Sequence, residues 1–64
     1  MQATVVRIAT YGVVWVHVLG SEPGILRREF IHEHAGLAVG QPIQVRTVPS
    51  RGTPAYQRIR PNAS

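Results

Sequence analysis

The sequence contains no cysteine, which excludes disulfide bonds, thiolate catalysis and cysteine-ligated zinc. Its longest apolar run, residues 13–16, is far shorter than the about 20 residues that a membrane-spanning helix needs. The first residues, Met1 to Thr4, also lack the charged and then apolar pattern of a secretory signal. We therefore expect a protein of the cytoplasm that does not enter a membrane.

Lysine and aspartate are absent too, so all side-chain charge at neutral pH comes from seven arginines and three glutamates. The formal net charge is +4, the isoelectric point is about 11.3, and every residue after Glu33 is neutral or basic. An isoelectric point above about 9 is typical of a nucleic-acid-binding domain, and arginine both pairs with phosphate and stacks on bases. The alternative is that the charge serves solubility alone.

A chain of 64 residues and 7.0 kDa has room for one domain, which we expect to span residues 1–64. A domain this small buries only about 60% of the surface that its unfolded chain exposes, so its core must be compact. We therefore expect a binding surface rather than a deep active-site cleft.

Alternating and β-branched residues indicate strands, which glycine and proline separate. The segment from Arg28 to His34 is compatible with one or two helical turns that end near Gly36. Pro61 ends the last strand, and the tail, residues 61–64, is expected to fray. The predicted strands are residues 4–8, 13–19, 25–27, 43–48 and 55–60.

Five short strands, with the only helical piece between the third and the fourth, follow the element order of an OB fold. Closing the sheet protects strand edges that so short a chain has little else to cover. An SH3-like barrel is the main alternative, because it also combines five strands with a short helical turn. We predict an all-β, five-stranded OB-fold barrel.

The second predicted strand indicates which side chains face outwards. Its valines, at positions 14, 16 and 18, alternate with Trp15 and His17, so the two sets lie on opposite faces of the sheet. Valine suits the core of a small barrel. We therefore expect Trp15 and His17 on the outer surface.

Three short motifs follow one another along the chain. They are Val5-x-x-Ile8-x-x-Tyr11-Gly12-Val13, Gly24-Ile25-Leu26 and Val39-Gly40-Gln41-x-Ile43-x-Val45. In their order and spacing the chain, from about Ala3 to Arg60, resembles the S-one RNA-binding domain. That module is repeated in the largest protein of the bacterial small ribosomal subunit and is found in several ribonucleases. The resemblance implies an OB fold that binds RNA.

The resemblance also implies where RNA would bind, namely on the second and third strands, helped by the last strand and the loop before it. The first aromatic residue of the family corresponds to Tyr11. The second aromatic residue of the family aligns with Val14 if no gap is allowed, or with Trp15 if one valine of this chain is an insertion. We favour Trp15, because the alternation of the strand already places Val14 on the inner side.

Two basic positions and one departure complete what the resemblance implies. Arg27 stands where the family has a histidine, and Arg58 matches the basic residue of the last strand. The acidic residue of the preceding loop has no counterpart, since Ser50 and Arg51 stand there. This departure bears on base specificity rather than on attraction to phosphate.

Aromatic rings interleaved with arginine suit single-stranded nucleic acid, because unpaired bases stack on rings while guanidinium groups neutralise the backbone. We therefore predict that a monomer binds single-stranded RNA or single-stranded DNA without catalysis. The predicted binding residues are Tyr11, Trp15, His17, Arg27, Arg58 and Arg60.

Catalytic and metal chemistry find little support in the sequence. Glu29, His32 and His34 are close in sequence but lack a matching ligand elsewhere, so we expect no metal site and no cofactor. The serines lie in turns or in the tail, away from any nucleophile–histidine pattern. No enzymatic activity is expected.

Two other functions stay open at this point. The domain is also compatible with a protein-interaction module that docks on an acidic partner, such as a ribosomal, polymerase or ribonuclease protein. Bacterial translation initiation factor one is likewise a small basic OB barrel. That family lacks the Tyr-Gly and Val-Gly-Gln spacing seen here, so it is the weaker alternative.

Overall fold

Five strands close into a barrel in the computed structural model, which describes residues 1–60. A 3-10 helix of seven residues lies between the third strand and the fourth. The predicted fraying of residues 61–64 lies outside the described residues. The elements are β1 (Gln2–Ile8), β2 (Val14–Val18), β3 (Gly24–Leu26), the 3-10 helix (Arg28–His34), β4 (Pro42–Thr47) and β5 (Ala55–Ile59).

The order of the strands around the barrel is β1-β2-β3-β5-β4, and β4 pairs with β1 to close it. Every pairing is antiparallel except that of β3 with β5. Parallel neighbours need a long crossover, and the 3-10 helix together with β4 provides it. This topology confirms the predicted OB-like fold and decides against an SH3-like barrel.

The core consists of the inward-facing residues of all five strands. The buried cluster is dominated by valine, and Leu37, from the segment after the 3-10 helix, packs against it. The alternation predicted for β2 is confirmed, since its valines are buried while Trp15 and His17 are only partly buried. The cluster comprises Ala3, Val5, Val14, Val16, Val18, Leu26, Ile43, Val45 and Tyr56.

A β-bulge interrupts β1 between Val5 and Arg7, where the pairing with β2 shifts its register. A bulge inserts one extra residue, here Val6, so the residues after it change face. Val5 therefore points into the core, whereas Arg7 lies opposite Trp15 on the outer surface. Strict alternation from Val5 would have placed Arg7 inside the barrel.

Gly24 begins β3, and its backbone lies against the carbonyl group of Pro54 and the side chain of Tyr56. A Cβ atom at this position would lie 2.5 Å from the carbonyl oxygen of Pro54 and 2.6 Å from Cε2 of Tyr56. The amide of the next residue, Ile25, donates a hydrogen bond to the same Pro54 oxygen at 3.0 Å. Only glycine allows this approach, which accounts structurally for the Gly-Ile-Leu motif.

We predict that Leu26→Ala destabilises the domain by about 2–5 kcal/mol, because it removes a fully buried side chain and leaves a cavity. Leu19→Ala is the matched control, since Leu19 is 91% exposed, and its effect should stay within about 0.5 kcal/mol. Urea denaturation followed by circular dichroism measures both changes. Equal effects of the two substitutions would contradict the packing described here.

Candidate nucleic-acid interface

The outer surface of β1, β2 and β3 carries a row of three side chains centred on Trp15. Arg7 of β1 pairs with Trp15 on one side, and Ile25 of β3 pairs with it on the other. Directly opposed residues in antiparallel strands point to the same face, about 4.5–5.5 Å apart. The indole thus lies between an arginine and an isoleucine. We call this surface the Trp15 face.

Two more predicted binding residues belong to the same hairpin. His17 lies two residues after Trp15, so it shares the Trp15 face, and it pairs with Thr4 of β1. Tyr11 lies in the connection between β1 and β2 and is 81% exposed. The other reading of the family alignment, Val14, is buried in the core, so Trp15 is the residue that a base can reach.

Arg27 follows β3 and shares the outward direction of Ile25. Its guanidinium is already engaged, because it donates hydrogen bonds to the carbonyl oxygen of Pro49 and to Oε2 of Glu29, the latter at 3.0 Å. These contacts join the end of β3, the start of the loop before β5 and the 3-10 helix. Arg27 is therefore near the Trp15 face, as predicted, but held by two partners.

A groove separates β3 from the loop between β4 and β5. It is an open groove of about 720 Å³. The groove begins at Ile25, so it is continuous with the Trp15 face. Its lining residues are Ile25, Arg27, Arg28, Glu29, Ser50, Arg51, Thr53 and Ala55.

The structure does not bring Arg58 to the Trp15 face. Arg58 pairs with Val45, so it points to the inner side of β5 at the end of the barrel that the 3-10 helix covers. One guanidinium nitrogen, Nη1, donates to the carbonyl oxygens of Glu33 and Ala35, at 3.2 and 3.3 Å. Arg58 thus anchors the end of the 3-10 helix, which is a structural role.

Arg60 is also separated from Trp15. It is exposed and lies beyond β5, beside residues of β1 and β4 such as Gln2 and Pro42. Because β5 is two strands away from β2 through β3 and three strands away through β1 and β4, Arg60 faces another side of the molecule. Of the predicted arginines, only Arg27 comes near the indole.

The structure adds Arg7, Arg28 and Arg51 to the candidate interface, and none of them was predicted from the sequence. The bulge hides Arg7, because its position suggests an inward side chain. The folding of the β4–β5 loop back along β3 brings Arg51 towards Arg28. One signal in the sequence could have indicated that Arg7 faces outwards: an arginine is rarely buried without a partner.

A second polar cluster lies under the 3-10 helix, away from the Trp15 face. Arg46 donates to Gln57 at 2.7 Å, and Gln57 donates to Glu33 at 3.2 Å. The neighbouring imidazole of His34 has both ring nitrogens shielded from solvent. Burial lowers the pKa of His34 below its usual value, although the backbone of Gly12 and the carboxylate of Glu33 oppose this shift.

Within residues 1–60, no three histidine, cysteine or carboxylate side chains come together in a group that could hold a metal ion. Nor does that part contain a helix long and apolar enough to cross a membrane.

Comparison of the chain with protein-family models, with curated proteins and with solved structures gave no match. The resemblance to the S-one domain therefore stays a prediction from the motifs, and the case for a function depends on the geometry of the Trp15 face and the groove.

We predict that acidification destabilises the domain through His34. Since the folded pKa lies below the usual 6.5, the unfolded chain binds more protons in the window between the two values, and stability rises with pH across it. His34→Gln should remove this part of the pH dependence, whereas His32→Gln, whose side chain is 75% exposed, should leave it. Thermal melts between pH 5 and 8 measure both slopes, and identical slopes in the two variants would contradict the assignment.

Proposed function

We propose that this domain binds single-stranded RNA, or another exposed single strand, without catalysing a reaction. The observation that carries the proposal is the position of Trp15, the only tryptophan, on the outer wall between Arg7 and Ile25. An indole in that position offers a face to an unpaired base. The guanidinium group of Arg7, next to the indole, is available to a neighbouring phosphate.

The energetics favour a single strand over a duplex. Stacking of a base on an aromatic side chain contributes about 1–3 kcal/mol and tolerates any base. Reading a duplex usually requires a helix or a ribbon that enters a groove. The helix found in residues 1–60 is a 3-10 helix of seven residues with a kink at Phe30, and it covers one end of the barrel instead.

The electrostatic contribution is modest, because few arginines adjoin the indole. Arg7, Arg27, Arg28 and Arg51 lie on the Trp15 face or in the groove. With three to four phosphate contacts, the logarithm of the affinity should fall with the logarithm of salt concentration with a slope of about −2 to −3. The proposed binding is therefore weak, sensitive to salt and tolerant of sequence.

The proposal extends to the setting of the domain. Closure of the barrel pairs each of its five strands on two sides, which supports a monomer, since no long strand edge is left to recruit a second copy. We place the domain in the cytoplasm, without a cofactor, as a module that meets RNA alone or beside a ribosomal, polymerase or ribonuclease protein.

We predict that Trp15→Ala weakens binding of a fluorescein-labelled oligo-uridine about 5- to 150-fold, the equivalent of the stacking energy of one base. Fluorescence anisotropy at low salt measures the affinity, and circular dichroism verifies that the variant is folded. Ile59→Ala is the matched control, because Ile59 is 44% exposed and pairs with Gln44 on another side of the barrel. Unchanged affinity in folded Trp15→Ala would refute the proposed site.

A second test compares two arginine substitutions that each remove one positive charge. Arg7→Gln should weaken oligo-uridine binding and reduce the magnitude of the salt slope by about 0.7, the value of one lost phosphate contact. Arg60→Gln removes the same charge from another side and should leave the slope unchanged. A salt titration from 20 to about 200 mM covers the range in which such effects are large. Equal slopes for the two variants would show that Arg7 contributes only to the overall charge.

Binding to a protein instead of a nucleic acid would give a different result. In a pull-down from a cell extract, a direct protein partner survives nuclease treatment, whereas a partner bridged by RNA is lost. If a protein partner is retained after nuclease treatment and the anisotropy of oligo-uridine does not change, a protein-interaction function replaces the present proposal.

A further inference from the structure

The groove between β3 and the β4–β5 loop combines three arginines with two hydroxyl-bearing side chains. Arg27 and Arg28 lie on one side, and Arg51 lies on the other, with Ser50 and Thr53 beside it. Arginine is the residue best suited to phosphate, because its planar fork makes two parallel hydrogen bonds with the oxyanion. Three arginines outnumber the one carboxylate of the lining, so the groove carries a net positive charge.

Within residues 1–60, the three arginines differ in their partners. Neither Arg28 nor Arg51 takes part in the side-chain hydrogen bonds or ion pairs of this region. Arg27 instead pairs with the carboxylate of Glu29, at 3.0 Å. A carboxylate and a phosphate offer the same two-oxygen edge to a guanidinium. Glu29 contacts Arg27 through one oxygen only, Oε2, which accepts from the same Nη2 group that suits a phosphate oxygen.

The Arg27–Glu29 pair is exposed enough to exchange. The side chain of Arg27 is 34% exposed and that of Glu29 is 50% exposed. Ion pairs in such positions are screened by solvent and contribute little net stability. The second bond of Arg27, to the carbonyl oxygen of Pro49, keeps the guanidinium at the edge of the groove whether or not Glu29 is bound.

We propose that the groove is a phosphate site, that the carboxylate of Glu29 fills its Arg27 position in the free protein, and that a phosphate of the bound strand displaces this carboxylate. This inference rests on the proposed function. Ile25 belongs to both the Trp15 face and the groove, so the phosphate taken here is one adjacent to the base that stacks on Trp15. Glu29 thereby limits the affinity of the domain for nucleic acid.

The decisive substitution is Glu29→Gln, which retains the size of the side chain and removes the competing charge. We expect about three-fold tighter binding of oligo-uridine, because an exposed ion pair contributes little net free energy. The magnitude of the salt slope should increase by up to about 0.7. Glu22→Gln is the matched control, because Glu22 is exposed in the β2–β3 connection and gives the same change in net charge without touching Arg27.

Two further measurements test displacement itself. In an Arg27→Gln background, Glu29→Gln should no longer tighten binding. The guanidinium group for which the Glu29 carboxylate and the phosphate compete is then absent. An oligo-uridine with uncharged methylphosphonate linkages should likewise show no gain from Glu29→Gln. If Glu29→Gln increases the affinity only for oligonucleotides with a 5′-phosphate, the site takes a terminal phosphate. If the affinity increases equally for oligonucleotides with a 5′-hydroxyl, the site takes a phosphate of the backbone.

The possible failures can be told apart. If Glu29→Gln binds no more tightly than Glu22→Gln, or binds more weakly than the unaltered protein, the phosphate-displacement model is overturned. In that case a persisting loss of affinity in Trp15→Ala would leave the proposed function intact. If the unaltered domain binds no oligonucleotide at low salt, the proposed function itself falls, and this inference with it.

Discussion

The space inside a five-stranded barrel is the constraint on which the rest of this structure depends. Small barrels are filled by their own inward side chains, and here these are mainly valines from β1, β2 and β4. An indole is much larger than valine, so the pattern of β2 leaves Trp15 on the outside. The one tryptophan is only partly buried there, with Arg7 and Ile25 as its cross-strand neighbours.

The arginines show that net charge is a poor guide to what each charge does. Arg58 anchors the 3-10 helix, Arg46 belongs to a polar chain that ends at Glu33, and Arg27 is shared between a carbonyl and a carboxylate. Arg7, by contrast, stands beside the indole because of the bulge. A net charge of +4 draws a polyanion to the whole molecule, but only the local arrangement of guanidinium groups selects a face for it.

The two ends of the 3-10 helix have different polar surroundings. At its C-terminal end the carbonyl oxygen of Glu33 accepts from Arg58, and burial lowers the pKa of His34. Along the side of the barrel, β3 and the folded-back loop leave a groove open to solvent. Arg28 and Glu29, at the N-terminal end of the helix, line that groove, so the helix is shared between structural contacts and the candidate site.

The sequence alone determined the class of fold, because strand alternation, turn residues and the place of the helical segment are local properties that tertiary packing did not override. It also determined that Trp15 and His17 face outwards, which follows from the period of two in a strand. Only the tertiary structure decided which arginines join them. A bulge reverses the face of Arg7, the pairing of β5 with β4 turns Arg58 inwards, and the loop carries Arg51 to β3. These placements depend on contacts between residues far apart in the chain, and so they leave no periodic signal in the sequence.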